Sequence, residues 1–176
     1  MNINDILEFS KTINSKIYFD YNLKKTNWFN IGGYSKIFFV PNSLEELVNF
    51  LDIYKKRGKI FIIGYGSNVL FNDDMYDGAI IKLGKNFSSL SILNQTTIVA
   101  GSGASDKIVS EFAKENNIGG FEFLSCIPGS IGGGIRMNSG CFDTEFKDRL
   151  ISVQVIDFSG KVTSISKNNI IFNYRE

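Results

Sequence analysis

No histidine occurs anywhere in the 176 residues, and that absence removes a large class of chemistry. A Ser-His-Asp or Cys-His nucleophile, a histidine general base and a histidine-linked prosthetic group all need an imidazole. Cysteine is nearly as scarce, with Cys126 and Cys141 the only two. In a chain without a secretory leader such a pair is expected to stay reduced and packed, and with no histidine beside them no metal site is expected. The start, Met1-Asn2-Ile3-Asn4-Asp5, lacks a basic stretch followed by an apolar one. No apolar run approaches the ~20 residues of a membrane helix, so a cytoplasmic protein with no membrane partner is expected. Neither sign of charge is in excess, with nineteen basic and eighteen acidic residues, and nothing suggests nucleic acid as a partner. Lys55-Lys56-Arg57 is the densest basic run, and its place at a helix end suits the helix dipole rather than a ligand. Repeats and low-complexity tracts are missing as well.

What is present describes a folded chain. Hydrophobic residues make up 43%, with sixteen Phe and seven Tyr, enough for one good core or for two small lobes sharing a ligand. The pattern is α+β. Ile6, Leu7, Phe9 and Ile13 predict a short amphipathic helix over 4–13 capped by Asn4, and Ser35 to Val40 reads as a strand stopped by Pro41. Ser43-Leu44-Glu45-Glu46 is a capping box, followed by a helical stripe of Leu44, Leu47, Val48, Leu51 and Tyr54 that Gly58 ends. Strands are expected at Lys59 to Ile63, Ala79 to Leu83 and Thr96 to Ala100, with Lys85 to Gln95 as the most loop-like connection. A helix starts at Ser105-Asp106 with Ile108, Val109, Phe112 and Ala113 on one face, and Asn116-Asn117 and Gly119-Gly120 close it. Leu150 to Phe158 and Lys161 to Ile165 form a hairpin around Ser159-Gly160.

Two glycine loops stand out. Lys59 to Ile63 opens into Gly64-Tyr65-Gly66-Ser67-Asn68, where glycines allow N–H groups to converge and Ser67 and Asn68 can each donate to phosphate oxygens. The loop is neither a Walker A sequence nor G-x-G-x-x-G. Cys126 to Gly140 places Pro128, Gly129, Ser130, Gly132, Gly133, Gly134, Asn138 and Gly140 close together, with Ser130 positioned to cap a short helix whose N-terminus points at an anion or a polarised ring. A plain surface turn is the competing reading of each loop. Without histidine, chemistry falls either to Arg, Ser, Glu, Tyr and Asp or to a cofactor, and such loops favour a cofactor.

The ordered motifs Thr26-Asn27-Trp28-Phe29-Asn30-Ile31-Gly32-Gly33, Gly64-Tyr65-Gly66-Ser67-Asn68-Val69-Leu70, Ala100-Gly101-Ser102-Gly103, Glu122-Phe123-Leu124 with Ile127 to Gly134, Met137-Asn138-Ser139-Gly140 and Tyr174-Arg175 resemble the UDP-N-acetylenolpyruvoylglucosamine reductase family. The likeness runs from about Thr26 to the last residue. Tyr65 and Cys126 depart from it, each standing where that family usually has glycine.

The resemblance implies the two-lobed FAD-binding domain of the vanillyl-alcohol oxidase and p-cresol methylhydroxylase type, with the dinucleotide between its lobes. A lead-in over 1–26, a first lobe over 27–84 and an incomplete second lobe over 85–176 are expected, without the substrate-binding domain. FAD would be held non-covalently by Gly64, Tyr65, Gly66, Ser67, Asn68, Val69, Gly101, Pro128, Gly129, Ser130, Gly133, Asn138 and Gly140, with NADPH as hydride donor. The substrate implied is the enolpyruvyl ether of UDP-N-acetylglucosamine, with Tyr174 and Arg175 at its binding site and Arg175 as the catalytic arginine. The family's serine proton donor and catalytic glutamate have no counterpart here, and Glu176 is not a replacement. Another flavin oxidoreductase of the same fold, or a non-catalytic nucleotide-binding module, remains open as an alternative.

Overall fold

The computed structural model describes residues 4–54 and 58–173. They divide into two compact units, Met1–Asn86 with Ile156–Val162, and Phe87–Val155 with Thr163–Glu176.

The first unit contains α1 (Asn4–Thr12), β1 (Lys16–Asn22), β2 (Tyr34–Val40), α2 (Leu44–Tyr54), β3 (Lys59–Ile63) and β4 (Tyr76–Lys82). Its sheet has the order β1-β2-β4-β3, with β1 antiparallel to β2 and the other pairs parallel. The two central strands carry the buried apolar runs, as strands covered on both faces must. Alternation sends successive side chains to opposite faces. Phe39 meets Phe9 of α1 and Phe50 of α2, at 6.5 and 4.5 Å between ring centres. Phe38 and Ile80 instead join Leu23 and Ile63, with Val69 and Phe71 packed on them. The connection between the parallel strands β3 and β4 is therefore anchored by its own apolar side chains.

Ser43 caps α2 as expected, accepting a hydrogen bond from the Glu46 N–H at 3.1 Å. The Glu46 carboxylate does not close the box. It accepts instead from the N–H groups of Asn14 at 3.0 Å and Ser15 at 3.3 Å, and from the Ser15 hydroxyl, which ties the α1–β1 junction to α2. Lys55-Lys56-Arg57 lies outside the described residues.

The second unit contains β5 (Leu90–Asn94), β6 (Thr97–Ala100), α3 (Asp106–Glu115), a 3-10 turn over Glu122–Cys126, α4 (Ile131–Met137), β7 (Gly140–Cys141), β8 (Thr144–Glu145) and α5 (Phe146–Arg149), followed by most of β9 (Ser152–Ile156) and of its partner β10 (Val162–Ser166), whose end residues Ile156 and Val162 fall in the first unit. Ala104, Val109, Phe123, Leu124, Ile131 and Phe146 form its core, with Phe123 and Phe146 edge to face at 5.7 Å.

Several expectations change. Lys85 to Gln95 is not a plain connection, since a 3-10 turn over Lys85–Ser88 and β5 fill most of it. The strand expected at Ala79 starts earlier, at Tyr76, with Asp77 and Gly78 inside it. Leu7 and Ile108, placed on buried helix faces by periodicity, are exposed, and burial falls on Ile6 and Phe9 and on Val109 and Ala113.

Candidate functional site

In the first unit the loop after β3 is held by backbone. Gly66 adopts φ +71°, a left-handed conformation that favours glycine, and a Cβ there would strike the carbonyl of Thr26 and come within 2.8 Å of the Asn27 Cα. The N–H of Trp28 donates to the Gly66 carbonyl at 3.1 Å. Asn27 holds the facing turn, its buried amide donating to the carbonyls of Leu23 and Ile31 at 2.9 and 2.8 Å. Gly33 is just as tightly seated, with its N–H on the Asn72 carbonyl at 2.8 Å and no room for a side chain beside Asp73. Residues 26–33 and 64–74 thus form one backbone platform.

On that platform two polar side chains stand apart from the rest. Among the described residues nothing inside the unit takes up the Ser67 hydroxyl or the Asn68 amide. Trp28, Phe29, Tyr65 and Leu70 are exposed in the same segments, so donors and apolar surface occur together. Val69 is the exception, packed into the sheet face with Leu23 and Ile63.

In the second unit the glycine segment has a different construction from the one expected. Ser130 is the N-cap residue of α4, but its hydroxyl makes no capping hydrogen bond. The first N–H groups of the helix do not point at an anion either: Ile131 donates to the Ala104 carbonyl at 3.0 Å and Gly132 to the Ser102 carbonyl at 2.8 Å. The turn after β6 has taken the donors that an isolated helix start would leave free. Gly133 keeps the first-turn N–H that has no backbone acceptor among the described residues.

The glycines of this segment divide by role. A Cβ at Gly134 would enter the Phe146 ring, one at Gly132 would sit 3.0 Å from the Ser102 carbonyl, and one at Gly101 would strike the Phe87 carbonyl. Those three permit close packing. Gly140 belongs with them, its Cβ position lying 2.7 Å from the Thr144 carbonyl across the β7–β8 pair. Gly133 meets only the Ser130 hydroxyl, at 3.4 Å, so it is the glycine with open space beside it. Pro128 is exposed and Gly129 half-buried above α3.

Asn138 is fully committed inside the unit. It ends α4 at φ +44°, donates to the Glu145 carboxylate at 2.6 Å and accepts from the Lys147 N–H at 3.0 Å. Its side chain shapes the turn into β7. Tyr174 and Arg175 lie outside the described residues.

Sequence reading missed Asp106. It opens α3, is wholly buried, and neither carboxylate oxygen has a hydrogen-bond partner among the described residues. Burial pushes its carboxyl up to about 7. An aspartate at a helix start is ordinary in sequence, so no local signal marked it.

The FAD binding domain family matches residues 35–166, which include both glycine loops. The chain belongs to that family. The α+β fold of this FAD-binding domain also appears in solved structures. A crystal structure of UDP-N-acetylenolpyruvylglucosamine reductase from Thermus caldophilus superposes with a TM-score of 0.76 at 24% identity, over 93% of this chain and 56% of that one. Physcomitrella patens BBE-like 1, as the D396N variant, gives 0.66 at 16% identity, over 93% of this chain and 38% of that one. Among sequences, the UDP-N-acetylenolpyruvoylglucosamine reductase of Pelagibacter ubique is 55% identical over 99% of this chain and 58% of its own length. That of Rickettsia bellii is 42% identical over 89% of this chain and 52% of its own. The chain therefore spans little more than half the length of these relatives.

The residues present suit FAD. Gly66 leaves the loop close against its neighbours with no side chain in the way, and Ser67 and Asn68 supply uncommitted donors of the type that phosphate accepts. No helix among the described residues is long and apolar enough to cross a membrane.

Proposed function

We propose that the chain is the flavin-holding portion of an NADPH-dependent reductase that converts the enolpyruvyl ether of UDP-N-acetylglucosamine to UDP-N-acetylmuramate, a step in making cell-wall precursors. The 55% identity over 99% of the chain to a protein of that name carries the reading. FAD held there would supply the hydride chemistry that links NADPH to the substrate double bond. The chain's own residues bind and orient. Ser67 and Asn68 donate to the pyrophosphate, and Gly66 keeps their backbone in position. Gly133, within the second unit, offers an N–H with open space beside it. Gly101, Gly140 and Asn138 support these segments from within and act on the flavin through the backbone they shape.

Without histidine, and with the cysteines at Cys126 and Cys141 free, the flavin is held non-covalently. Tyr174 and Arg175 are assigned to the substrate, the arginine fork binding its carboxylate with paired donors and stabilising charge that develops beside it. Their assignment rests on the sequence motif. The setting is cytoplasmic, where NADPH is supplied.

The test is NADPH oxidation by protein expressed from the complete gene. Oxidation in step with added UDP-N-acetylglucosamine enolpyruvate is expected, with Arg175→Lys lowering turnover while flavin content stays constant. Flavin-loaded protein that ignores this substrate would exclude the reductase reading and favour another flavin oxidoreductase of the same fold.

A further inference from the structure

Asp106 is covered by the segment that runs into α4. Its main-chain N–H donates to the Gly129 carbonyl at 3.2 Å, Ser105 and Ser130 form an antiparallel bridge beside it, and a Cβ at Gly129 would lie 2.7 Å from its Oδ2. The unit's apolar core begins next to it, with Ala104 and Val109. A buried carboxyl without a partner is tolerated only while neutral, because an isolated carboxylate in such surroundings costs several kcal/mol or more.

The titratable groups on the surrounding elements are Lys107 and Glu111 with Lys114 and Glu115 on α3, Glu122 and Cys126 on the 3-10 turn and Arg136 on α4, all exposed. Residues 127–130 and 101–105 carry none. Burial alone raises the Asp106 carboxyl, to about 7, and no neighbouring charge contributes.

We infer that Asp106 is a positioning residue for the cofactor segment: its main-chain N–H holds Gly129 while its neutral carboxyl stays buried beneath, and ionisation of that carboxyl displaces Gly129 and Ser130, so that flavin is held less tightly as the pH rises. The inference rests on the reading that this segment contacts FAD.

The experiment titrates FAD into the flavin-free chain from about pH 6 to about pH 9, a range that brackets the ionisation. Wild type is compared with Asp106→Asn, which keeps the shape but cannot ionise, and with Asp106→Leu in case the amide disturbs folding. The Kd of the wild type is expected to rise over that range by about tenfold or more beyond the rise in either variant. Equal pH dependence in all three overturns the inference. A second readout is the carboxyl 13C titration of Asp106, whose midpoint must rise when FAD binds, since the coupling is reciprocal. An unchanged midpoint likewise overturns it. Failure to bind FAD at every pH overturns the cofactor reading itself, and this inference with it, so the two failures are distinguishable.

Discussion

The N–H of Trp28 donates to the carbonyl of Gly66 at 3.1 Å. Two motifs far apart in sequence, Thr26 to Gly33 and Gly64 to Leu70, are thereby one structure. The first is the backbone wall against which the second turns, and the missing side chain at Gly66 lets them meet.

Gly66→Ala should therefore damage the fold as well as the loop. The left-handed φ costs about 1–2 kcal/mol for an L-residue, and the new methyl meets the fixed Thr26 carbonyl. A loss of at least about 2 kcal/mol is expected, a drop of roughly 4–8 °C in Tm for a chain of this size. An unchanged Tm would show that the two segments are not rigidly joined.

Ser67→Ala with Asn68→Ala should leave Tm nearly constant and weaken flavin. Two hydrogen bonds to a charged phosphate are worth on the order of 3–6 kcal/mol before water compensates. Titration of the flavin-free protein measures the loss. Equal affinity would reduce the loop to a turn.

Gly133 and Gly134 should separate packing from binding. Gly134→Ala drives a methyl into the Phe146 ring and should lower Tm with overpacking costs of about 1–3 kcal/mol. Gly133→Ala has space and gains helix propensity of about 0.5–1 kcal/mol, so Tm should hold or rise while flavin affinity falls. The reverse pattern would mean that the two glycines have been assigned wrongly.

This division was not legible in the sequence, where three adjacent glycines look alike; it depends on Ser102 and Phe146, brought in from elsewhere. The start of α4 shows the same limit. Its free donors were expected to face an anion, and the turn at Ser102 to Ala104 took two of them. The helix α2 was legible because its signals are local, a serine cap and an apolar stripe. β1 left no signal. It is an edge strand alternating between half-buried and exposed positions, with no fully buried one, so its pairing with β2 creates it rather than any apolar period. Asp106 escaped notice because its burial comes from tertiary contacts, Gly129 among them.

Two carboxylates should shift stability with pH in opposite directions. Asp106, raised from 3.8 to about 7, favours the folded state fully below its unfolded value, and that contribution fades as pH climbs from about 4 to about 7, by at most about 4 kcal/mol. Urea unfolding of wild type against Asp106→Asn should show this fall in the wild type alone. Burial by itself would raise Glu46, but hydrogen bonds from Ser15, Asn14 and Asn42 outweigh it and hold the carboxyl below its usual range. Its contribution is present above the unfolded value and lost on acidification. Glu46→Gln should thus be weaker near pH 7 and flatter toward acid, and a variant with the wild-type acid profile would remove Glu46 from the account.

The most direct measurement of the central claim is acid precipitation of the purified, flavin-loaded protein. A FAD-binding domain that holds its cofactor without a covalent bond releases all of it, as intact FAD, into a yellow supernatant above a colourless pellet. Colour that stays with the pellet would contradict non-covalent binding, and a protein that takes up no FAD at all would contradict the claim that this chain is built to hold it.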